Sequence, residues 1–181
     1  ADFTARYPAI TLRIVTSNDL ADFTRDGIDA GVRYGRGQWP QTYAERLAPE
    51  ELFPVCAPAL LSSRHPLRCP DDLRHHMLLH GELVPGWADW LDAAGVHGVD
   101  VGKGPRFTDA ISMLEAACAG HGVALARSVL VRDDLASGRL VRPFETAIDA
   151  TKGYYFVCAP NGLDHPGVVA FRDWLMDVIG T

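Results

Sequence analysis

The amino-acid sequence predicts an α/β protein built as two lobes. Segments with the character of strands and of helices alternate along most of the 181 residues, with a disturbed middle. Two similar apolar stretches, residues 53–58 and 156–160, are predicted to be crossover strands that form a hinge between the lobes. Hydrophobic residues make up 48% of the chain and charged residues 22%, a globular composition that excludes wholesale disorder, collagen and coiled coil.

The first elements of the chain predict a βαβ unit. Residues 2–7 are interpreted as the end of a helix, because the proline that follows disfavours helical geometry in the residue before it. The β-branched and apolar run 11–15 predicts a strand. Residues 17–19 are N-cap types, which predicts a helix ending near Gly27, and residues 28–34 predict a second strand. Strand, helix and strand in this order imply a parallel sheet.

The middle of the chain is less regular. Residues 43–47 and 51–56 predict two further strands. Prolines and a histidine-rich stretch at 75–80 then interrupt the alternation of predicted strands and helices. Trp87 and Trp90 stand at helical spacing, which favours core packing over an aromatic ligand cage.

The second half of the chain alternates again. Apolar residues at helical spacing with glycines after them mark helices, and short apolar runs mark strands. The predicted elements are a helix over 109–119, a strand over 123–126, a helix ending at Gly138, strands over 139–144 and 154–159, and a final helix from Pro166.

Charge and cysteine usage predict a cytoplasmic protein. The chain has 17 Lys and Arg residues and 23 Asp and Glu residues, which gives a net charge of −6. This charge argues against binding of nucleic acid by this chain alone. There is no run of 18 apolar residues and no signal-peptide pattern at the start. The four cysteines are at least thirteen positions apart, so reduced thiols are favoured over a zinc ribbon or a redox pair. A disulfide between Cys56 and Cys158 would need neighbouring strands and an oxidising compartment.

No residue pattern demands catalysis, a metal or a cofactor. His76 and His80 have the i, i+4 spacing of zinc ligands on a helix, but no glutamate follows His76, so a loop interpretation is favoured. Cys56 and Cys158 lie in apolar surroundings, which make a thiol inert. Two short glycine-containing loops resemble phosphate-binding loops only superficially. The sequence therefore predicts neither an enzyme nor a bound cofactor.

Anion binding at helix starts is the favoured chemistry. A helix N-terminus offers unpaired N–H groups and a partial positive charge. Thr16 and Ser17 follow the first predicted strand, and Thr108 precedes the predicted helix at 109. Arg33, at the end of a strand, adds a bidentate donor for a carboxylate. Simple N-capping by the hydroxyl residues, and pairing of Arg33 with a surface acid, are the alternatives.

Several stretches together resemble the effector-binding domains of LysR-type transcriptional regulators. Residues 26–40 carry an Arg-Tyr-Gly-x-Gly-x-Trp motif, whose form is closest to the branch containing the glycine-cleavage and β-lactamase regulators. Residues 44–47 and 51–61 match that branch, as do residues 107–109 and 120–126. The resemblance covers nearly the whole chain in order.

The resemblance implies a two-lobed fold like that of the type II periplasmic binding proteins, with a small-molecule effector, often a carboxylate, held between the lobes. Lobe I would comprise residues 1–57 and 159–181, and lobe II residues 58–158. The effector-contacting positions that it implies are Thr16, Ser17, Arg33, Tyr34, Gly35, Phe107, Thr108, Leu125 and Ala126.

The resemblance also implies partners beyond these residues. In the family, DNA is read by an N-terminal winged helix-turn-helix that this sequence does not contain, and one more strand and helix are expected before Ala1. Effector binding would shift a homodimer or tetramer between packings, with no membrane partner. Two alternatives use the same scaffold: a free-standing solute-binding protein that serves a transporter, and an enzyme, for which the sequence offers no catalytic set.

Overall fold

Helices and strands alternate along the computed structural model, which describes residues 2–17, 21–81 and 86–180. The α-helices are α1 (Asp2–Arg6), α2 (Trp87–Ala93), α3 (Ala110–Cys118), α4 (Ser128–Ala136) and α5 (Pro166–Gly180). The β-strands are β1 (Ala30–Gly35), β2 (Tyr43–Arg46), β3 (Glu51–Val55), β4 (Leu78–Leu79), β5 (Val123–Arg127), β6 (Ile148–Asp149) and β7 (Gly153–Cys158). Short 3-10 helices cover Pro58–Ser62, Pro70–His75 and Gly162–Asp164. Within the described ranges, no helix has both the length and the apolar character needed to cross a membrane.

The chain divides into two units. Unit 1 comprises Ala1–Pro49 and Lys152–Thr181, and unit 2 comprises Glu50–Thr151. The sequence predicts lobe boundaries after residues 57 and 158 instead. The difference arises because β3 pairs with strands of unit 2 and β7 pairs with strands of unit 1. A strand stays with the neighbours that satisfy its backbone hydrogen bonds.

The sheet of unit 1 is antiparallel and has the order β1-β7-β2. The central strand β7 pairs with β1 from Ala30 opposite Cys158 onward, and with β2, where Arg46 lies opposite Tyr155. Because successive side chains of a strand point to opposite faces, this register determines which residues share a face.

One face of this sheet packs against α5. Phe156 and Cys158 are 0% exposed and form a core cluster with Val168 and Leu175 of that helix. Phe3 of α1 joins the same side of the unit, with its ring edge-on to that of Phe171 at 5.5 Å between centroids. Burying a side chain of this size stabilises the fold by about 1.5–3 kcal/mol.

Residues 11–15 do not form the predicted strand, and the predicted βαβ unit is absent from the described part of unit 1. Ile14 is 78% exposed, and no described strand pairs with this segment. β-branched residues favour a strand only where a neighbouring strand accepts their hydrogen bonds and covers one face. The predicted helix falls partly on residues 18–20, outside the described residues, and the backbone after them forms a turn closed by the carboxylates of Asp22 and Asp26.

The sheet of unit 2 is mixed and has the order β4-β5-β3-β6. The strand β4 runs parallel to β5, whereas β3 is antiparallel to both β5 and β6. Residues 123–126 of β5 are at most 2% exposed, since both faces of the sheet are covered. One face packs against Trp87 and Trp90 of α2. The other packs against α3 and α4 through Met113 and Val131.

The predicted strand over 139–144 is wrong, whereas the other helices and strands predicted for the second half are present. Val141 forms only an isolated bridge with Cys56. The Nε of Arg142 donates a hydrogen bond to the carbonyl oxygen of Phe144 at 2.9 Å, so a side chain satisfies a backbone acceptor that a ladder would otherwise use.

Replacement of Trp90 tests the core of unit 2. Its side chain is 0% exposed, and its indole Nε1 donates a hydrogen bond to the carbonyl oxygen of Thr146 at 3.1 Å. We expect Trp90→Ala to lower the free energy of unfolding, measured in urea by circular dichroism, by about 3–5 kcal/mol, because it leaves a cavity and an unsatisfied acceptor. Ile111→Ala, at a site 61% exposed, is the control and should change it by less than about 0.5 kcal/mol. Equal losses in both variants would contradict this description of the core.

Candidate functional site

A cavity of about 250 Å³ opens on unit 2 at the end of β4. The apolar part of its wall consists of Leu79, Trp87, Val101 and Leu125, and polar groups form nearly half of the lining. Three polar side chains also line it, namely His80, Asp89 and Arg106. An apolar pocket with a few convergent polar groups is the usual form of a small-molecule site.

Backbone hydrogen bonds hold one wall of the cavity against β4. The amide of His80 donates to the carbonyl oxygen of Pro105 at 3.0 Å, and the amide of Phe107 donates to the carbonyl oxygen of His80 at 2.8 Å. The His80 ring is buried, and its Nε2 lies 2.7 Å from the carbonyl oxygen of Lys103. Because this segment is bonded at three points, Arg106 is carried to the edge of the cavity by a fixed backbone.

Gly104 and Trp87 both pack closely against β4. The φ of Gly104 is +117°, and a Cβ at this position would overlap the carbonyl oxygen of Leu78, so only glycine fits. The indole Nε1 of Trp87 donates a hydrogen bond to the carbonyl oxygen of Leu79 at 3.0 Å. A buried indole N–H needs such a partner, and the bond fixes the ring beside β4.

The structure places the predicted site residues of unit 2 on both sides of its sheet. Leu125 is 2% exposed and lines the cavity. Ala126, the next residue of β5, is 1% exposed and packs in the opposite cluster with Phe53. Phe107 packs against that same cluster, and Thr108 is exposed. Of these four positions, Leu125 alone lines the cavity.

The start of α3 is capped by Asp109. Its Oδ1 accepts a hydrogen bond from the amide of Ser112 at 2.8 Å, and this bond holds the pKa of the Asp109 carboxyl below its ordinary value. A carboxylate at a helix N-terminus already interacts with the N–H groups that an anion would use. Capping is therefore the role seen at this terminus, with Thr108 one position before the cap.

Arg33 and Tyr34 lie next to each other on β1 and project to opposite faces of the unit 1 sheet. The guanidinium carbon of Arg33 is 5.2 Å from the centroid of the Trp39 ring, a cation–π contact. The Tyr34 ring lies 5.1 Å from that of Tyr154 on the neighbouring strand. The sequence leaves open that Arg33 pairs with a surface acid. No such ion pair is present among the described residues of unit 1, where the ion pairs involve Arg6, Arg25 and Arg172.

The glycines of the Arg-Tyr-Gly-x-Gly-x-Trp motif make room for aromatic rings. A Cβ on Gly35 would lie 2.6 Å from the ring of Trp39. Gly37 has φ +80°, and a Cβ there would lie 2.5 Å from the ring of Tyr155. The rings of Trp39 and Tyr155 meet edge to face, 5.6 Å apart and at 78°. The glycines of this loop therefore serve the packing of aromatic rings. This agrees with the interpretation that the loop resembles a phosphate-binding loop only superficially.

Thr16 and Ser17 are exposed and lie in an irregular segment. The helix whose start they are predicted to mark falls partly on residues 18–20, outside the described residues. The backbone that follows is a turn, so the described part of the chain contains no helix N-terminus at this position.

The cysteines are all free thiols. Cys56 is 0% exposed, and burial raises the pKa of its thiol to about 11. Burial also raises the pKa of Cys158 above its ordinary value. Neither thiol has the thiolate character that a nucleophile needs.

The histidine pair does not have zinc-binding geometry. His76 and His80 flank the strand β4 and do not share a helix, so the four-residue spacing separates their backbones by about 13 Å of extended chain instead of one helical turn. The Nε2 of His76 lies 2.6 Å from the carbonyl oxygen of His65. Within the described ranges, no three His, Cys, Asp or Glu side chains are grouped so as to hold a metal ion.

Six of the seven cavity side chains named above were missed as site residues by sequence reasoning, and three of them show why. Trp87 has the helical spacing of a core residue, and His80 stands out only as half of a metal-like pair. Arg106 immediately precedes the predicted position Phe107, which is the one local signal that pointed to it. The convergence of the three depends on the bonds between residues 103–107 and β4, which no local pattern predicts.

These features define a class of protein. Two α/β units, one of them with a small cavity lined by both apolar and polar groups, are typical of a domain that binds small molecules. Residues 1–180 match the family described as the LysR substrate binding domain. The chain belongs to the LysR substrate-binding domain family, as the sequence motif indicates.

Curated relatives of the chain are transcriptional activators. It is 36% identical over 176 residues to the glycine cleavage system transcriptional activator of Escherichia coli, covering 97% of this chain and 58% of that protein. It is 34% identical over 178 residues to the HTH-type transcriptional activator AmpR of Pseudomonas aeruginosa, covering 98% of this chain and 59% of that protein. The chain thus spans somewhat more than half the length of these relatives.

Solved structures of effector domains share the fold. The effector domain of AmpR from Pseudomonas aeruginosa matches with a TM-score of 0.80 and 34% identity, over 99% of this chain and 86% of that one. The effector-binding domain of AmpR from Citrobacter freundii matches with a TM-score of 0.80 and 33% identity, over 99% of this chain and 88% of that one. The predicted α/β fold and the predicted family branch are confirmed, and the solute-binding alternative is not supported.

Thiol reactivity tests the burial of Cys56. At about pH 8, we expect an aromatic disulfide reagent to modify the exposed Cys69 first, because a buried thiol with a raised pKa stays protonated and shielded. Cys56 should react only after unfolding in urea, as read by mass spectrometry of peptides. Cys69→Ser is the control and should remove the fast phase alone. Fast labelling of Cys56 in the folded protein would contradict the structure.

Proposed function

We propose that this chain is the effector-sensing part of a LysR-type DNA-binding transcriptional regulator and is not an enzyme. The observation that supports this most directly is the match of nearly the whole chain to AmpR effector domains at a TM-score of 0.80. The cavity of unit 2, with its apolar wall and the cation of Arg106 at its edge, suits a small ligand.

The effector is a small molecule that carries a carboxylate. Its contacts come from the predicted positions, which are Thr16, Ser17, Arg33, Tyr34, Gly35, Phe107, Thr108, Leu125 and Ala126. Within unit 2, the geometry favours Leu125 for apolar contact and Arg106 for charge, because both line the cavity. Within unit 1, it favours Arg33, whose guanidinium has no carboxylate partner among the described residues.

The regulator works in the bacterial cytoplasm as a homodimer or tetramer. DNA contact belongs to a separate N-terminal winged helix-turn-helix, in agreement with the acidic charge of −6 on this chain. The effector acts by binding one packing of the subunits better than another, which shifts the population between them.

A ligand screen tests effector sensing. We expect one or more compounds from a set of amino acids, small organic acids and cell-wall fragments to raise the melting temperature, because a ligand at 100 times its dissociation constant adds about 2.7 kcal/mol of stability. Thr108→Ala or Arg33→Ala should weaken this effect, while the exposed controls Thr4→Ala and Arg13→Ala keep it. Absence of any stabilising compound would contradict the function, and equal binding by all variants would contradict the site.

The assembly state tests the regulator against the transporter receptor. We expect the chain to form dimers in sedimentation equilibrium at micromolar concentration, because LysR-type regulators act through subunit packing. A receptor that delivers solute to a transporter works as a monomer. A strictly monomeric chain at every concentration would contradict the proposed mode of action.

A further inference from the structure

Three side chains form a row across the sheet of unit 1. Arg33 of β1 lies opposite Tyr155 of β7, and Tyr155 lies opposite Arg46 of β2. Residues directly opposite each other in an antiparallel sheet project to the same face. Neighbouring strands are about 4.8 Å apart, so the backbones of the two arginines are about 10 Å apart with the tyrosine between them. This face is the reverse of the one that carries Phe156 and Cys158 into the core with α5.

The Arg33 guanidinium is oriented by an aromatic ring. Its carbon lies 5.2 Å from the centroid of Trp39, and Trp39 in turn lies across Gly35 and meets Tyr155 edge to face. A guanidinium held over a ring by a cation–π contact uses none of its N–H groups in that contact. The contact therefore limits the rotamers of Arg33 and leaves its hydrogen-bond donors available.

The Arg46 guanidinium lies over a neighbouring glycine. A Cβ built on Gly153 would be 3.1 Å from the Nε of Arg46. Gly153 is paired with Gly35 across β1 and β7, so the group over Gly153 and the ring over Gly35 occupy adjacent places on the same face. Both cations thus border one patch formed by the rings of Trp39 and Tyr155.

The ion pairs of unit 1 leave both arginines without a carboxylate. Among the described residues of this unit, Arg6, Arg25 and Arg172 take part in ion pairs, and Arg33 and Arg46 do not. Glu45 is adjacent to Arg46 in the chain, but it points to the other face, where its carboxylate accepts a hydrogen bond from the Tyr43 hydroxyl at 2.9 Å. Two like charges on one sheet face repel each other, and an anion between them would relieve that repulsion.

We propose that Arg33 and Arg46, on either side of Tyr155 in this row, bind the oxyanion group of a small-molecule effector. This inference rests on the proposed function for the source of the ligand and adds the residues that recognise its charge. The guanidinium groups donate hydrogen bonds to the oxygens of a carboxylate or a phosphate group. Each planar guanidinium presents two parallel N–H groups that fit two of these oxygens. The rings of Trp39 and Tyr155 contact the carbon skeleton beside the charged group. Arg46 is a specificity-determining residue in this arrangement.

The test is a titration of the intact chain with two anionic probes, sodium succinate and sodium phosphate, at constant ionic strength. The side-chain Nε–Hε signals of the arginines are followed by nitrogen-15 NMR. We expect the signals of Arg33 and Arg46 to shift together and to saturate, because both contact one anion, while Arg13 and Arg25 do not respond. Succinamide, which has the same skeleton without charge, should cause no shift.

Variants separate binding from structure. Arg33→Gln and Arg46→Gln should each weaken binding of the better probe about tenfold, the order expected for losing one charge-assisted hydrogen bond. Arg46→Lys should recover part of the affinity, because it restores the charge without the planar fork. Arg13→Gln removes an exposed cation from the same unit and should leave binding unchanged. Circular dichroism melting shows that each variant is folded.

Two results would overturn the inference. The first is a shift of the Arg33 and Arg46 signals that rises linearly with the probe concentration or equals the shift of Arg13. Such a shift reports general screening of charge and no bound anion. The second is an effector from the ligand screen that binds Arg46→Gln and wild type with equal affinity. This result would refute recognition of the effector by this row without contradicting the proposed effector sensing. Failure of the screen to find any effector refutes the proposed function, while the succinate and phosphate titrations still decide whether the row binds oxyanions.

Discussion

The burial of β5 on both of its faces is the constraint on which unit 2 depends. Residues 123–126 are at most 2% exposed, and a strand in that position must hydrogen-bond on both edges and pack on both sides. Its parallel neighbour β4 and antiparallel neighbour β3 meet the first requirement. The helices α2, α3 and α4 meet the second. Leu125 then lines the cavity because alternation turns it to the α2 side, and Ala126 is turned away for the same reason.

In unit 1 the corresponding role belongs to β7, which pairs with a strand on each edge. Phe156 and Cys158 face α5 and close the core, so Tyr155 must face the other way. The two glycines next to the row, Gly35 and Gly153, have no side chain on that second face, which lets the indole of Trp39 and the guanidinium of Arg46 approach the backbone closely. The same strand therefore provides the core on one face and the centre of the proposed anion site on the other.

Local patterns predicted the elements that carry their own signal. The four apolar residues of β5 and the helical face of α3 were recognised from periodicity and from the glycines that follow, and both are present. The strand over 11–15 was wrong because its β-branched residues report only a preference, and Ile14 has no described strand beside it. The strand over 139–144 was wrong because the side chain of Arg142 bonds a backbone acceptor locally.

The candidate site was less predictable than the fold. Arg33 was found from its residue type and from the family resemblance, whereas Arg46 is thirteen positions away and joins it only through the register of two ladders with β7. Likewise, Arg106 reaches the cavity through bonds between His80 and residues 105 and 107. Such pairings are set by tertiary contacts, and a single sequence contains no local trace of them.

The net charge of −6 gives the arrangement of these cations its significance. An acidic chain does not concentrate an anionic ligand on its surface by general attraction. Salt screens its repulsion of anions beyond about one Debye length, roughly 8–10 Å at physiological salt, so the groups within that distance of the ligand decide the interaction. A cation that is oriented by a ring, such as Arg33, and a second cation on the same face then discriminate by geometry as well as by charge. Selective binding of a ligand whose oxyanion reaches both cations therefore depends on this local geometry, because the net charge of the chain supplies no general attraction.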